Sequence, residues 1–308
     1  KSLQPCFPSK TFPNHYSMAT GLHPDHHGIV QNNFYDPELG EFRLTNRDAV
    51  SNPGYYGGEP IWVTAEKQNV NSACYFWPGS EASINGYHPD IWKEYDEEVS
   101  FMDRMDSVIS WLQMPYSTRP HLILWYMHEP DEVGHDFGPY ANETSNMVEH
   151  LDSLVGVFCQ KINSLPNADS INIIFTADHG MSEITVEKTI ILSENINPDW
   201  IIDIKGSNPV FFIQPKEGFE EQVHTALDKI QNMKCYTKDD FPERYVFGNN
   251  NRIYELTCVA DSSWSIEWDN ASYSRGGAHG YDPFIKDLQA IFYAAGPAFK
   301  DNYDHPTF

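Results

Sequence analysis

Residues 121–135, HLILWYMHEPDEVGH, decide the fold, because an apolar run of strand length leads directly into a polar segment containing glycine. Residues 171–180, INIIFTADHG, repeat this design further along the chain. Between them, apolar residues recur over 147–165 with the i, i+3, i+4 spacing of an amphipathic helix. Strand, helix and strand predict a βαβ unit with neighbouring strands. The predicted fold class is α/β, with a mostly parallel central sheet flanked by helices.

The rest of the chain continues this alternation. Residues 103–112 and 220–230 predict helices, and residues 252–259 and 288–294 predict strands. We expect a single domain over 1–308, in which residues from about 191 to 274 could form a smaller inserted subdomain. Because Lys1 is not a natural start, and because the final DNYDHPTF stops without a closing element, we expect the given chain to be trimmed at both ends.

The composition limits the function classes. The formal net charge of -24 argues against electrostatic binding of long nucleic acid, whose affinity comes mainly from Lys and Arg contacts with phosphate. An anionic substrate would need bound cations to reverse the local field. No stretch approaches the ~20 consecutive apolar residues of a spanning helix, so we expect no transmembrane segment in the given sequence.

The five cysteines predict little about compartment. Their wide spacing, without a C-x-x-C pair, argues against a cysteine zinc knuckle, and an odd number excludes complete pairing within the chain. Cys159 lies in the helical apolar pattern, and we expect it to be an ordinary buried thiol.

Carboxylates and imidazoles follow the predicted strands and occur again near the C-terminal end. Asp131 and His135 are four residues apart, Asp178 and His179 are adjacent, and His279 lies in GGAHGYD. Each pattern alone could be an acidic loop, a hydrogen-bonded turn or a flexible glycine loop. Together they are typical ligands of catalytic zinc. Since open α/β sheets build sites at the carboxyl ends of strands, we expect one site with two ions.

Residues 10–17, KTFPNHYS, offer Thr11 as a nucleophile near the start of a predicted helix. A threonine hydroxyl needs a base or a metal to react, and Thr11 could instead be an N-cap. Other chemistries are disfavoured, because the sequence has no G-x-S-x-G elbow, no P-loop and no H-E-x-x-H helix.

The motifs resemble the nucleotide pyrophosphatase/phosphodiesterase family of the alkaline phosphatase superfamily, in particular a bacterial-type member. They cover most of the chain and are highly specific together. The matching segments are KTFPNHYSMATGLHPDHHGIVQNNFYDP, EPIWVT, WPGSEA, EPDEVGHDFGP, FTADHGM, AHGYDP and AAGPAF. The resemblance implies an alkaline-phosphatase-like fold with two zinc ions at the carboxyl end of the central sheet.

The resemblance also implies which residues bind the ions. Asp131, His135 and His279 match the ligands of one zinc, and Asp178, His179 and Thr11 match ligands of the other. The family has a further aspartate ligand on a strand upstream of KTFPN, which no residue here matches. We expect truncation to explain this difference.

The resemblance further assigns substrate contacts. Asn32 matches the asparagine that supports a nonbridging phosphate oxygen, and Phe12 and Tyr95 resemble an aromatic pair that sandwiches a nucleobase. The implied activity is hydrolysis of nucleotide phosphodiester or pyrophosphate bonds through a phosphothreonine, which releases nucleoside 5′-monophosphates. The alternatives are a phosphodiesterase for choline lipids or glycerophosphodiesters, and a non-catalytic binding protein of the same fold. Export to the periplasm or the extracellular space is implied, whereas the oligomeric state stays open.

Overall fold

The computed structural model describes residues 2–271 and 275–308, so residues 272–274 of the predicted subdomain lie outside the described part. Helices and strands alternate along the chain, as expected for an α/β fold. The helices are α1 Thr11–Thr20, α2 Pro24–His27, α3 Arg47–Val50, α4 Ile61–Lys67, α5 Phe101–Leu112, α6 Asp131–Phe137, α7 Asn142–Asn163 and α8 Glu220–Leu227. The strands are β1 Ser2–Leu3, β2 Asn33–Asp36, β3 Gly40–Arg43, β4 Ser72–Tyr75, β5 Ile91–Lys93, β6 Leu122–Trp125, β7 Ile173–Thr176, β8 Ser182–Thr185, β9 Thr189–Ile191, β10 Ile201–Ser207, β11 Val210–Pro215, β12 Met233–Thr237, β13 Leu256–Ala260, β14 Ser265–Glu267, β15 Arg275–Ala278 and β16 Ala290–Ala295.

Two three-stranded sheets contain the strands that lead into the predicted site. One has the order β5-β4-β6 and is parallel, and the other has the order β1-β16-β7 and is antiparallel. The strand-helix-strand sequence β6-α7-β7 is present, but the prediction that its strands are neighbours is wrong within the described residues. β6 pairs with β4, and β7 pairs with β16. Strand partners are selected by long-range contacts that a local pattern does not contain.

The long helix α7 forms the cover of the β4 and β6 strands. Its buried residues Leu154, Phe158 and Ile162 are spaced by four and lie in one apolar cluster with Ala73 of β4 and Val108 of α5. Burial of a large apolar side chain stabilises the fold by about 1.5–3 kcal/mol. This packing fixes the strand whose carboxyl end leads into α6.

A four-stranded antiparallel sheet, with the order β10-β11-β13-β12, occupies most of the predicted subdomain. Cys235 of β12 lies directly opposite Cys258 of β13, and the two form a disulfide. Cys6, Cys74 and Cys159 are free thiols. Cys159 is only partly buried, contrary to the expectation, because it lies beside the buried stripe of α7.

Buried charge joins this sheet region to the N-terminal part of the chain. The Arg252 guanidinium donates to Asp36 Oδ2 at 2.6 Å and to the Gly28 carbonyl at 2.7 Å. Asp25 Oδ1 accepts the backbone N–H groups of residues 248–250. The segment that follows α1 is therefore fastened to the polypeptide that precedes β13. In the described part of the chain, no helix combines the length and apolarity needed to cross a bilayer.

Candidate metal centre

The first ligand cluster forms where α6 lies against β15. Asp131 is the first residue of α6, so His135 lies one turn later on the same face. The glycines of β15 permit the close approach, since a Cβ at Gly277 would lie 2.5 Å from the Gly134 carbonyl oxygen. His279 follows β15 directly. The glycine-rich strand thus brings His279 up to His135.

Hydrogen bonds fix the tautomers of both imidazoles in this cluster. His135 Nδ1 donates to the Gly277 carbonyl and His279 Nδ1 donates to the Ser9 carbonyl, each at 2.8 Å. A carbonyl oxygen can only accept, so each Nδ1 carries the proton and each Nε2 presents a lone pair. The two Nε2 atoms lie 3.0 Å apart. Asp131 adds carboxylate oxygens at 3.5 Å and 3.6 Å from them.

The charge states of this cluster suit a divalent cation. Burial alone would raise the pKa of Asp131, but His279, His135 and His179 nearby lower it below its ordinary value. Burial holds the pKa of His279 well below its usual range, which keeps that imidazole neutral. Asp131 Oδ1 is buried and has no hydrogen-bond donor among the described residues. The lone pairs of carboxylate oxygens and imidazole nitrogens therefore converge without a proton between them. Such atoms are the ligands that zinc takes in proteins.

The second cluster follows β7. Asp178 Oδ2 lies 3.0 Å from His179 Nε2, although no hydrogen bond joins them, and 3.3 Å from His15 Nδ1. Burial would raise the pKa of Asp178, but His179 and His15 lower it well below its usual range. His179 Nδ1 donates to the Gly180 carbonyl at 3.0 Å, so its Nε2 is the ring nitrogen that faces the carboxylate. Burial would lower the pKa of His179, but Asp178 raises it above its ordinary value, so a cation bound by both side chains would take the place of a proton on Nε2.

The two clusters are in direct contact. The rings of His179 and His279 are stacked, with centroids 3.6 Å apart and an interplanar angle of 12°. Of the six predicted ligands, the five carboxylate and imidazole side chains therefore converge in one region, as the sequence analysis expected. Their assignment to individual ions stays a prediction.

Thr11 lies on a segment that contacts both clusters. The Ser9 carbonyl binds His279, and His15 contacts Asp178. The alternative of Thr11 as an N-cap is wrong, because Lys10 occupies the cap position with extended backbone and Thr11 is the first helical residue. Its nucleophilic role stays a prediction. Asn32 Oδ1 accepts the Phe12 N–H at 3.0 Å and so caps the start of α1 from outside.

A single buried side chain organises the loop in front of Thr11. Asn14 Oδ1 accepts the Cys6 N–H at 2.7 Å. Asn14 Nδ2 donates to the carbonyls of Pro8 and Lys10, both at 2.9 Å, and approaches the Cys6 carbonyl at 3.3 Å. The loop is thus tied to α1 along its whole course.

The two aromatic residues predicted to bind a base pack against different neighbours. Phe12 is buried and meets Phe42 edge-on with centroids 5.7 Å apart. Tyr95 packs against Phe76 at 5.3 Å and approaches Tyr126 at 6.3 Å. Their roles in stacking stay predictions.

Two residues beside the predicted ion ligands were not predicted from the sequence. His15 is four residues after Thr11 on the helix that was predicted, so the i, i+4 rule could have placed it on the side of the site. Tyr126 follows β6, and its ring meets His15 edge-on at 4.9 Å. Burial raises the pKa of Tyr126 well above its usual range, and the carboxylates of Asp178 and Asp131 add to this shift. It is a neutral hydroxyl at this position.

Several known proteins are similar in sequence to this chain. A family model described as type I phosphodiesterase/nucleotide pyrophosphatase matches residues 1–282. Human ectonucleotide pyrophosphatase/phosphodiesterase family member 1 is 36% identical over 100% of this chain and 34% of its own length. Venom phosphodiesterase 2 of Crotalus adamanteus is 35% identical over 100% of this chain and 39% of its own length. The chain thus spans between a third and two fifths of these relatives.

Solved structures confirm the fold class. Human ectonucleotide pyrophosphatase/phosphodiesterase 5 superposes with a TM-score of 0.93 at 32% identity, covering 100% of this chain and 82% of that one. The murine counterpart, solved as an inactive threonine-to-alanine variant in complex with AMP, gives 0.91 at 31% identity, covering 98% and 80%. The relatives named here come from vertebrates, so the bacterial-type assignment stays a prediction. By its sequence match and its fold, this chain belongs to the type I phosphodiesterase/nucleotide pyrophosphatase family.

Proposed function

We propose that this chain hydrolyses nucleotide phosphodiester or pyrophosphate bonds at a two-zinc site and releases nucleoside 5′-monophosphates. The observation that carries the proposal is the position of the Thr11 segment, which contacts one ligand cluster through Ser9 and the other through His15. The AMP complex of the murine relative supports a nucleotide ligand.

The donor set determines where the ions would be held. Asp131, His135 and His279 would bind one zinc, and Asp178, His179 and Thr11 would bind the other. Two zinc ions bound here would supply positive charge that lowers the pKa of a hydroxyl ligand and offsets the charge of a phosphate. This local charge is needed in a chain whose formal net charge is -24.

The chain's own residues then account for the reaction. Thr11 Oγ attacks phosphorus in line, and the bond to the leaving group breaks as the bond to threonine forms. Water hydrolyses the phosphothreonine and restores the hydroxyl. In the first turn of α1 the Phe12 N–H donates to Asn32, Pro13 has no N–H and the Asn14 N–H donates to the Lys10 carbonyl, so the Thr11 N–H is the backbone donor of this turn that would be available to an anion.

Asn32 would donate to a nonbridging phosphate oxygen. Its Oδ1 is occupied by the Phe12 N–H, which leaves the Nδ2 hydrogens as the donors of this side chain. We expect Asn32→Asp to lower kcat/KM by about 10²-fold or more, because a comparable lost donor costs ~3 kcal/mol and the new charge repels phosphate. Steady-state kinetics with a nitrophenyl nucleotide ester measures the effect.

The aspartate at position 32 keeps the acceptor for the Phe12 N–H, so the start of α1 should survive in this variant. Asn33→Asp, one residue away in β2, is the matched control for the added charge and should leave kcat/KM nearly unchanged. Wild-type kinetics for Asn32→Asp would rule out the proposed donor role.

The predicted aromatic pair, Phe12 and Tyr95, favours a substrate with a nucleobase over a choline lipid, because the flat base can stack on the rings. Base–aromatic stacking contributes about 1–3 kcal/mol, so Tyr95→Ala should raise KM for ATP by roughly 5- to 150-fold. The exposed Tyr116 provides the control, because Tyr116→Ala removes an equal side chain from another part of the surface. Turnover is measured with ATP and with glycerophosphocholine. Faster turnover of glycerophosphocholine, unaffected by Tyr95→Ala, would favour the lipid alternative.

Export is part of the proposal. The Cys235–Cys258 disulfide supports an oxidising compartment, since such bonds are rare in the reducing cytosol of most cells. The names of the relatives, ecto-enzymes and venom enzymes, point in the same direction. We infer a periplasmic or extracellular location and a small-molecule substrate.

A further inference from the structure

We propose that His15 is a positioning residue that joins the turn carrying Thr11 to the ion ligand Asp178 through one shared proton. This inference rests on the proposed function, because it treats Thr11 as the nucleophile and Asp178 as a zinc ligand. His15 Nδ1 lies 2.9 Å from the Thr11 carbonyl oxygen and 3.3 Å from Asp178 Oδ2.

The direction of the proton follows from the partners. The Thr11 carbonyl can only accept, so the proton resides on His15 Nδ1. Asp178 stays ionised and also accepts, so a single N–H is shared between the backbone of Thr11 and the carboxylate. The His15 side chain thus contacts both the Thr11 residue and the predicted ion ligand Asp178. A displacement of Thr11 therefore changes the environment of Asp178.

The surroundings of His15 hold its ring in one orientation. Only 7% of the side chain is exposed, and the rings of Trp77 and Tyr126 meet it edge-on at 5.0 Å and 4.9 Å. Trp77 Nε1 also donates to the His15 carbonyl at 3.2 Å. Rotation of the imidazole would require these aromatic side chains to move. The Nδ1–H is thus directed at Asp178 by packing as well as by the hydrogen bond to Thr11.

This geometry gives His15 a defined role around the second cluster. Hydrogen bonds to a ligating carboxylate orient its lone pairs, and their loss typically lowers metal affinity by about 10- to 100-fold. His15 contacts Asp178 on the same oxygen as His179 does. The Asp178 carboxylate therefore lies between His179, a predicted ion ligand, and His15 of α1.

The test compares two replacements of His15 in the zinc-loaded protein. His15→Leu keeps the bulk but removes the donor, whereas His15→Asn places an amide N–H close to the position of Nδ1. We expect His15→Leu to lower the affinity of one zinc about 10- to 100-fold by chelator competition. The kcat of His15→Leu should fall with little change in KM. His15→Asn should restore most of the zinc affinity and most of the kcat. The control is Tyr16→Phe on the same helix, which removes the hydrogen bond from the Tyr16 hydroxyl to the Gly57 carbonyl. This variant should leave zinc affinity unchanged.

A second readout needs no variant and no zinc. Nitrogen NMR of the zinc-free protein should show His15 as the Nδ1-protonated tautomer. The Nε2-protonated tautomer, or wild-type zinc affinity and kcat in His15→Leu, would overturn the positioning role and leave the proposed function standing. If His15→Leu does not fold, the NMR result decides. Failure of the proposed function shows differently, as full turnover in Thr11→Ala or fewer than two zinc ions in the wild type.

Discussion

Thr11→Ala is expected to reduce turnover of a nitrophenyl nucleotide ester by about 10⁴-fold or more, since loss of a covalent nucleophile has effects of this order or greater. The physical reason is that no phosphothreonine can form without the hydroxyl. The rest of the helix should be unaffected, because Thr11 begins α1 without a side-chain capping bond and Lys10 occupies the cap position. Single-turnover kinetics with a nitrophenyl ester of a nucleoside monophosphate measures the loss.

The matched control is Thr20→Ala at the other end of α1. Its hydroxyl donates to the Tyr16 carbonyl at 2.8 Å and has no place in the proposed chemistry, so turnover should stay within about twofold of the wild type. Full hydrolysis by Thr11→Ala would sink the assignment of the nucleophile. Mass spectrometry after rapid quenching would then identify which other residue is phosphorylated and so acts as the nucleophile.

Removal of zinc should abolish turnover and destabilise the fold. An ion that binds only the folded state stabilises it by about 4 kcal/mol when its free concentration is 1,000 times Kd. The Nε2 atoms of His135 and His279 lie 3.0 Å apart, and a cation that binds both lone pairs would offset the repulsion between them. We expect chelation to lower the melting temperature and added zinc to restore both stability and turnover. Calorimetry and metal analysis follow the two changes.

The number of ions separates the proposed enzyme from the non-catalytic alternative. Wild-type protein should bind two zinc ions, and His279→Ala should bind one, because His279 belongs to the Asp131 cluster. His26→Ala removes an exposed histidine and should bind two. Fewer than two zinc ions in the full-length wild type, with no turnover of ATP, would favour a binding protein that keeps the fold.

Local sequence patterns predicted the elements that lead into the site. The apolar runs became β6 and β7, and the i, i+3, i+4 pattern between them became α7. These predictions succeed because strand and helix periodicity, and the position of polar residues after apolar runs, are local properties. The positions of Asp131 and Asp178 were predictable for the same reason, since each lies just beyond a predicted strand, whereas His279 follows β15, a strand that no local pattern predicted.

Long-range choices were not predictable from these patterns. The pairing of β6 with β4, rather than with β7, depends on contacts between distant segments. The Cys235–Cys258 bond could not be selected among five cysteines until β12 and β13 were known to be paired in that register. The contact of His15 with Asp178 likewise joins residues that are far apart in sequence. The i, i+4 spacing from Thr11 could have indicated the side of the helix on which His15 lies, but not its partner Asp178.

The four contacts of Asn14 have a consequence for the rate of the proposed reaction. They fix the loop before Thr11 in the folded chain, so the reacting oxygen has little conformational freedom left to lose when a substrate arrives. Well-oriented groups reach effective molarities of about 10⁵–10⁸ M in model reactions, and loose ones do not. A buried amide that touches neither ion nor substrate would thereby contribute to the activation entropy, through the order that it imposes before the encounter.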